Sequence, residues 1–246
     1  MTHFTKLLAI TSILSLAALL VLASWEWILV SYVYYKIFVG LLGNQIAQHR
    51  YFSHKSFETS RAKKYFLYFV SLTTGINPLN YALTHRHHHV HSDTDKDLLS
   101  WTNTIFDIFS PITMQSSYKG PIKMSKVLDR DLMPFYKWHM HMIVLTLIML
   151  TVIDWKLTVY MFLAGIGWNY VHMILFRVFL VHYKLPGSYR NFEIKDQSWN
   201  NVIIQFLDFG EGLHNNHHAF PNLYNQAINK NEFDPAGVIV RKLFVN

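Results

Sequence analysis

A run of apolar residues without a single charge, Leu7–Ser24, constrains this chain more than any other feature of its sequence. Its length is close to the 20 or so residues with which an α-helix crosses the hydrocarbon core of a bilayer. A cleaved signal peptide is the alternative, because Lys6 precedes the run. Signal peptides have shorter apolar regions, however, and a second apolar run, Trp27–Ala47, follows at once. We therefore predict an uncleaved transmembrane hairpin.

Two further apolar stretches, His141–Ile153 and Leu157–Val181, predict a second hairpin. Another apolar segment, Tyr65–Leu83, contains a glycine and a proline near its centre, and these residues break helices. We predict that it is interfacial or re-entrant and does not cross the membrane. Charged residues make up 15% of the chain, whereas soluble domains contain about 25%. The predicted fold is an all-α membrane protein, a single domain over residues 1–246, with about four transmembrane helices.

Basic residues cluster in the long segments before, between and after the predicted hairpins, while the short turns inside the hairpins carry almost none. Positive charge marks the cytoplasmic side, so both termini and every long segment are predicted to be cytoplasmic. Topology and contact with lipid headgroups thus account for the net charge of +7, and no motif for nucleic-acid binding is present. The chain has no cysteine, which excludes disulfides and thiolate metal sites.

Histidines form two short clusters in the predicted cytoplasmic segments. Positions i, i+3 and i+4 share one face of a helix, so each HxxHH pattern predicts three imidazoles side by side. The six residues are His85, His88 and His89, and His214, His217 and His218. Neutral imidazole is the commonest metal ligand, and 15 histidines in 246 residues would not produce two such patterns by chance. We therefore favour metal binding over a solvated polar face.

A third pattern, His49 and His54 at the end of the second predicted span, is weaker on its own. Residues five apart are rotated by about 140° around an ideal α-helix. Both rings reach one site only if the helix ends or bends between them.

Together, the segments HRYFSH, HRHHHVHSDTDKD and FGEGLHNNHHAFP closely resemble the histidine boxes of membrane-bound fatty acid desaturases. The resemblance is to the acyl-CoA delta-9, or stearoyl-CoA, branch in a short bacterial form, and it covers most of the chain. It implies a cytoplasmic helical cap in which the eight box histidines hold two irons, with His182 as a ninth ligand. Imidazoles would also accept zinc, so affinity alone does not select the metal.

The resemblance also implies a reaction, the O2-dependent introduction of a cis double bond, at delta-9, into a saturated long-chain acyl group. The carrier of that group would be CoA or a membrane lipid. No side chain can deprotonate an unactivated methylene, so an oxidant derived from O2 at a reduced metal is required. A separate ferredoxin-like or b-type cytochrome-like donor with its reductase is expected, because the chain is too short for a fused one. The expected location is the cell inner membrane, with the active site on the cytoplasmic side.

Three positions depart from the pattern of the resembled family. Val178 stands where animal relatives have an asparagine that holds a water near one iron. Thr84 replaces a common aspartate before the second box, and Tyr81 replaces the usual tryptophan. These departures concern substrate detail and the placement of His182 more than the reaction itself.

Four acidic residues are candidates to accept hydrogen bonds from imidazole N–H groups and so to orient the rings. They are Asp93, Asp97, Asp196 and Glu211. Ordinary capping of helices and turns is an equally favoured interpretation of the same residues.

Beneath His49, at helical spacing, lie three residues that could form the wall of an acyl tunnel. They are Gln45, then Leu41 or Leu42, and deepest Ile37 or Phe38. The alternative is that their side chains simply pack against the first span, as most apolar side chains in a helix bundle do.

Two other functions remain open. A histidine-box hydroxylase or ketolase would share the metal centre and differ in its product, a C–OH group in place of a C=C bond. A histidine-rich membrane metal transporter would place its ligands in the middle of the membrane, whereas these histidines lie at helix ends and in loops.

Overall fold

The computed structural model describes residues 2–97, 99, 129–173, 175 and 180–245. Within that part of the chain, three helices are long and apolar enough to cross a membrane. They are His3–Leu22, Trp25–Ser53 and Arg130–Ile153. The protein is thus a mostly helical membrane protein, as predicted.

The first hairpin consists of helix α1 (Thr2–Leu22) and helix α2, which begins at Trp25 and runs without a break to Ser53. Ser24 lies between them in an extended conformation. Both predicted spans of this hairpin are helical, and α2 extends beyond its predicted end at residue 47 into the first histidine pattern.

The second hairpin starts earlier than predicted, because helix α5 begins at Met133 and ends at Ile153. Helix α6 follows over Leu157–Leu163 and Ala164–His172. Residues 174 and 176–179 lie outside the described residues, and with them lies Val178. The fourth predicted span, residues 157–181, is helical at its described residues except Val181, which lies in a turn. That this segment crosses the membrane as a fourth span stays a prediction.

The two hairpins pack against each other through α1 and α6. At their contact, a Cβ atom on Gly167 would lie 2.6 Å from the carbonyl oxygen of Ser12. Only glycine allows the two backbones to approach this closely, which is how small residues bring membrane helices together.

The second half of α2 has wider, π-type turns over Tyr35–Ser53. At its end, the backbone N–H of His54 donates to the carbonyl oxygen of His49, five residues earlier, at 3.2 Å. In such turns residues five apart stand above one another, whereas in an α-helix they point in different directions. From Gly43 onward, every residue of this helix is buried.

The apolar segment 65–83 is broken where the sequence predicts a break. Helix α3 (Arg61–Ser71) ends in a short 3₁₀ turn, Gly75 adopts a left-handed conformation with φ of 74°, and helix α4 starts at Pro78. Asn77 begins α4, because its side chain accepts a hydrogen bond from the N–H of Leu79 at 3.0 Å. Neither helix is among the three candidate spans.

After α6 the chain forms short elements that cover the end of α2. These are strands β1 (Ser188–Tyr189) and β2 (Asn200–Asn201), and helices α7 (Ile204–Leu207), α8 (His214–Ala219) and α9 (Pro235–Ile239). The two strands are antiparallel. Helix α9 continues to Phe244 with π-type turns.

Candidate metal centre

The ends of α2 and α4 pack near α8, and the loop that carries His182 joins them. Together these segments place nine histidines in two groups. The first, called here the five-histidine group, consists of His49, His54, His85, His89 and His217. One nitrogen from each ring lies within 4.8 Å of the corresponding nitrogens of the others. The second, called the four-histidine group, consists of His88, His182, His214 and His218, with the same spacing limit.

In the five-histidine group the Nε2 atoms face one another. The Nε2 atoms of His54 and His85 are 2.8 Å apart, and the Nε2 atom of His89 is 3.1 Å from that of His85. His217 completes the group, at 2.9 Å from His49 and 2.9 Å from His89. Two nitrogen ligands at about 2.1 Å from one ion and at right angles lie roughly 3.0 Å apart, so these spacings suit ligands of one metal ion.

Regular helix geometry accounts for most of the five-histidine group. The π-type turn places the rings of His49 and His54 together, with centroids 5.1 Å apart. In an ideal α-helix the two side chains would instead point about 140° apart. His85 and His89 are one α-helical turn apart on α4, with ring centroids at 4.7 Å. The first pattern therefore reaches the site by the shape of its helix.

The structure divides each HxxHH pattern between the two groups. His85 and His89 join the five-histidine group, while His88, three residues after His85, joins the other. In α8 the division is reversed, because His217 joins the five-histidine group while His214 and His218 join the four-histidine group. The three imidazoles of a pattern lie side by side, as in α4, but they contribute to two groups, since the i+3 and i+4 positions differ by about 100° around an α-helix.

Carboxylates contact the outward-facing Nδ1 atoms, and all four acidic candidates take part. Nδ1 of His88 lies 2.9 Å from Asp97, and Nδ1 of His218 lies 2.9 Å from Asp196. Nδ1 of His182 lies 3.2 Å from Asp93. The predicted alternative, capping of turns, occurs as well, because Asp97 accepts from the N–H of Leu99 at 2.9 Å and Asp196 accepts from that of Ser198 at 3.0 Å.

Glu211 contacts both groups. Its Oε2 atom is 3.3 Å from Nδ1 of His49, and its Oε1 atom is 3.2 Å from Nδ1 of His214. The side chain is 3% exposed, so this negative charge is shielded from solvent and lies between ligands of both candidate ions. Burial alone would raise the pKa of Glu211, but the neighbouring histidines lower it well below its usual range.

The nitrogen atoms facing each other fit a cation better than they fit hydrogen bonds. A carboxylate only accepts hydrogen bonds, so Nδ1 of His182 carries the hydrogen that it donates to Asp93, and its Nε2 atom presents a lone pair. Nε2 of His214 lies 3.0 Å from it, and Nδ1 of that ring lies 3.2 Å from Oε1 of Glu211, so the charge of this carboxylate favours a hydrogen on Nδ1. Two lone pairs at this distance repel each other unless a cation lies between them. The donor set therefore fits a bound metal.

Burial keeps most of these rings neutral, the form that binds metal. Loss of solvation lowers the pKa of His85, His89, His217 and His218 well below the ordinary range. His88 differs, because burial lowers its pKa but the Asp97 carboxylate raises it above the usual value overall. The Nε2 atom of His218 is buried without a hydrogen-bond partner among the described residues, as expected for a position that a metal ion would fill.

Sequence reasoning missed the residues that hold α8 in place. Asn216 accepts hydrogen bonds from Asn191 and Asn200, both at 2.8 Å, and donates to Glu232 at 2.9 Å. Asn215 accepts from the backbone N–H of Asn191 at 2.9 Å. The signal in the sequence was the pair of asparagines inside HNNHH, which the histidine pattern does not need.

A buried ion pair beside His49 was also missed. The Arg50 guanidinium contacts both oxygens of Asp234, at 3.0 and 2.9 Å, and donates to Oε1 of Gln45 at 3.0 Å. Arg50 is 1% exposed. Asp234 caps α9 by accepting from the N–H of Gly237 at 2.9 Å, so the ion pair joins α9 to the helix that carries the first histidine pattern.

The predicted tunnel residues lie on different faces of α2. Gln45 is buried, with Oε1 at 3.3 Å from Nδ1 of His49. Leu41 is half-buried and packs against the main apolar core. Ile37 is 45% exposed. Tyr35 and Val39, which the sequence analysis did not select, are fully buried.

Known fatty acid desaturases are similar to this chain over most of its length. The family model described as "Fatty acid desaturase" matches residues 26–230. The chain is 32% identical over 210 residues to an sn-1 stearoyl-lipid 9-desaturase of Anabaena variabilis, covering 80% of this chain and 73% of that protein.

Two other relatives differ in substrate and in the position of the double bond. An icosanoyl-CoA 5-desaturase of Limnanthes douglasii is 27% identical over 231 residues, covering 89% of this chain and 63% of the relative. A chloroplastic palmitoyl-monogalactosyldiacylglycerol delta-7 desaturase of Arabidopsis thaliana is 30% identical over 223 residues, covering 86% of this chain and 59% of the relative. The chain thus spans less than two thirds of these two proteins.

Proposed function

We propose that this chain, which belongs to the fatty acid desaturase family, introduces a cis double bond at the delta-9 position of a saturated long-chain acyl group, using O2 and two irons. The predicted family is confirmed by the match over residues 26–230, and with it the enzyme class, a fatty acid desaturase among the oxidoreductases. The observation that carries the proposal is the pair of adjacent histidine groups whose Nε2 atoms face inward.

In this proposal each histidine group holds one iron, and His182 is the ninth ligand. The nine imidazoles bind through their inward nitrogens, and the carboxylates orient the rings from outside. When bound, two reduced irons supply the oxidising power, drawn from O2, that removes two hydrogens from an unactivated pair of methylenes. Because nearly all of the ligands are buried, the same residues exclude bulk water from the reacting carbons.

The acyl chain is proposed to enter an apolar tunnel that descends along α2 from His49. Burying each methylene would stabilise the bound chain by about 0.8 kcal/mol. Leu41 and Gln45 remain candidates for the wall, and the fully buried Val39 joins them. Ile37 is not proposed as part of the tunnel wall, because it is 45% exposed, and it serves as a control position for Leu41.

The delta-9 position is proposed because several relatives carry that specificity in their names. They include the stearoyl-lipid 9-desaturase of Anabaena variabilis and a palmitoyl-lipid 9-desaturase of a Nostoc strain, at 27% identity. Relatives with other specificities exist, so the bond position is a proposal about this chain. The carrier, CoA or a membrane lipid, is open for the same reason.

The remaining parts of the proposal concern the surroundings of the enzyme. A separate ferredoxin-like or b-type cytochrome-like protein with its reductase delivers the electrons. The chain acts as one domain in the cell inner membrane, with its termini and the metal centre on the cytoplasmic side, as the distribution of basic residues suggests.

Expression in a host that lacks its own desaturase tests the function. We expect new monounsaturated acyl chains, and mass spectrometry should locate the double bond between carbons 9 and 10. The His218→Ala variant should produce none, while the His91→Ala variant, which alters a histidine of α4 outside both groups, should match the parent. Hydroxylated or keto products would favour the related oxygenases, and metal uptake without any change in lipids would favour a transporter.

A further inference from the structure

The segment that leads into the third histidine pattern exposes an unusual amount of apolar surface. Within residues 202–207, side-chain exposure reaches 59% at Ile203 and 57% at Phe206, and Val202 and Leu207 are also exposed. The helix α7 in this segment is a single turn, so it cannot bury these side chains against itself. Ile204 and Gln205, between the two exposed pairs, are buried and anchor the segment. Exposed apolar patches of this kind mark a surface that is covered by something other than water.

Lys36, a lysine of the membrane-spanning helix α2, fixes the position of this surface. Its Nζ atom donates a hydrogen bond to the carbonyl oxygen of Leu207, the last residue of α7, and lies 4.6 Å from the centre of the Phe209 ring. A cation at the C-terminal end of a helix is stabilised by the carbonyls that lack partners there. The contact also gives the Lys36 ammonium group a hydrogen-bond acceptor. Without one, the side chain would have to extend along the helix to reach the lipid headgroups.

One helical turn further along α2, the two segments pack directly. A Cβ atom placed on Gly40 would lie 3.4 Å from the ring of Phe209, an ordinary van der Waals distance, so the ring packs against α2 at this residue. Residues 207–209 therefore lie at the same level as residues 36–40 of the spanning helix. Between those positions, Ile37 and Phe38 have exposed side chains, so apolar surface at this level belongs both to α2 and to the 202–207 segment.

We infer that residues 202–207, called here the 202–207 surface, insert into the membrane interface, with the lipid bilayer as the partner that covers them. The surface is continuous with the lipid-facing residues of α2 and is joined to that helix through Lys36. Its exposed side chains are apolar, and the ring of Trp199, three residues before it in the chain, lies 5.5 Å from the exposed Lys184, a positive charge suited to lipid phosphates. This inference rests on the membrane-spanning helices and is independent of the proposed reaction.

Insertion would place lipid close to the metal centre. Only Asp208, Phe209 and Gly210 separate the 202–207 surface from Glu211, which contacts both histidine groups. A membrane-embedded acyl chain would then need to travel only a short way to reach the reacting position.

The absence of cysteine gives a direct test. Single variants Ile203→Cys and Phe206→Cys, labelled with a small fluorophore, are reconstituted in phosphatidylcholine and phosphatidylglycerol vesicles that contain lipids with quenchers at known depths. Leu14→Cys, on the exposed face of α1, serves as the deep control, and Lys230→Cys, on an exposed loop, serves as the solvent control. Unchanged metal content in each variant reports that the protein is folded.

We expect quenching at residues 203 and 206 to exceed that at residue 230 several-fold and to be strongest with quenchers about 5–10 Å below the headgroups. At residue 14 it should be strongest with deeper quenchers. Quenching at residues 203 and 206 no greater than at residue 230 would overturn the inference. So would energy transfer between labels on two chains that replaced lipid quenching, because a second copy would then cover the surface.

The role of Lys36 has its own test in the Phe206→Cys protein. Lys36→Met removes the donor to Leu207, and we expect weaker lipid quenching of the label, whereas Lys36→Arg, which keeps a cationic donor, should retain it. If Lys36→Met leaves the depth profile unchanged, Lys36 does not fix the position of the 202–207 surface.

Discussion

The two histidine groups achieve the same arrangement of imidazoles by different means. In the four-histidine group every Nδ1 atom has a carboxylate within 3.2 Å, as His88 has Asp97 and His182 has Asp93. In the five-histidine group, among the described residues, only His49 has a carboxylate beside its Nδ1 atom, at 3.3 Å. Three of its five members, His49, His85 and His89, stand on α2 and α4, and His54 directly follows α2. In the other group only His88 stands on a long helix, because His182 lies on a loop and His214 and His218 lie on a helix of six residues.

The difference teaches that a ring on a long helix can be aimed by its backbone alone, whereas a ring on a loop needs a carboxylate; His88, on α4 and beside Asp97, has both constraints. The end of α2 and a spacing of one α-helical turn aim the rings of His54, His85 and His89 without a carboxylate. The loop that carries His182 cannot aim a ring precisely, and Asp93 supplies the missing constraint. Glu211 is the one carboxylate that serves both groups.

The largest effect is expected from removing a ligand. His85→Ala in one group, or His214→Ala in the other, should abolish desaturation, because both irons are needed for the proposed reaction. His89→Ala and His218→Ala should do the same, and the measurement is the monounsaturated fraction of the host lipids.

Two buried histidines outside the groups are the matched controls for ligand removal. His139, whose Nδ1 is 3.1 Å from the Tyr68 hydroxyl, and His87, which contacts the carbonyl oxygen of Lys96 at 2.9 Å, should tolerate alanine. If His85→Ala kept parental activity, the five-histidine group would not be a metal site.

Removing a carboxylate should have a smaller effect that depends on the group. Asp97→Asn is expected to weaken binding of one iron by about 10- to 100-fold, because the ring of His88 loses its acceptor. Glu211→Gln should weaken both irons, since it contacts His49 and His214. Stepwise titration of metal-free protein with Co²⁺, followed by absorption, separates the two sites. Weakening of a single site by Glu211→Gln would contradict the role given to this residue.

A pH-dependent effect is expected at Glu232, which holds α8 through Asn216. Burial raises the pKa of Glu232, but hydrogen bonds from the N–H groups of Asn229 and Ile228 outweigh burial and lower it. Its contribution to stability is therefore complete above the ordinary glutamate pKa and is lost as the pH falls through the lowered value. We expect Glu232→Gln to reduce the free energy of unfolding at neutral pH by about 1.5 kcal/mol, a low value for bonds to a charged group because solvent screens this side chain.

Thermal unfolding of the metal-free protein between pH 7 and pH 3 measures that contribution. The difference in melting temperature between the parent and Glu232→Gln should shrink as the pH falls below about 4.5. A constant difference over this range would mean that the carboxylate charge has no part in holding α8.

The smallest effect is expected at the proposed tunnel. Leu41→Trp should shorten the preferred acyl chain without lowering iron content, because added volume displaces methylenes from a closed apolar tunnel. Ile37→Trp is the matched control, since its exposed side chain points away from the buried face of α2. Gas chromatography of the products gives the chain-length profile. An unchanged profile in active Leu41→Trp protein would mean that the tunnel does not follow α2 at this residue.

The sequence was informative where one residue type repeats with a fixed period or where charge is absent. The charge-free run Leu7–Ser24 predicted a helix that the structure contains, and Gly75 and Pro78 predicted the break before α4. Three histidine patterns predicted which imidazoles are close together. These features depend on local geometry, which a short stretch of sequence determines.

What the sequence could not provide depends on contacts between distant segments. The π-type turns of α2 cannot be predicted from the residues of the HRYFSH motif alone. The assignment of His88 and His89 to different groups required the position of α8 relative to α4. Asp234 is far along the chain from α2, which it holds through Arg50, and no pattern in the sequence links Glu232 to Asn216.

Iron content, measured by mass spectrometry of the purified protein and resolved by Mössbauer spectroscopy, tests the central claim most directly. The account predicts two irons per chain in the parent, each in a nitrogen-rich environment, and loss of a different one of the two signals in His85→Ala and in His214→Ala. A parent protein that desaturates acyl chains with a single iron, or a His85→Ala protein and a His214→Ala protein that both retain two, would contradict it.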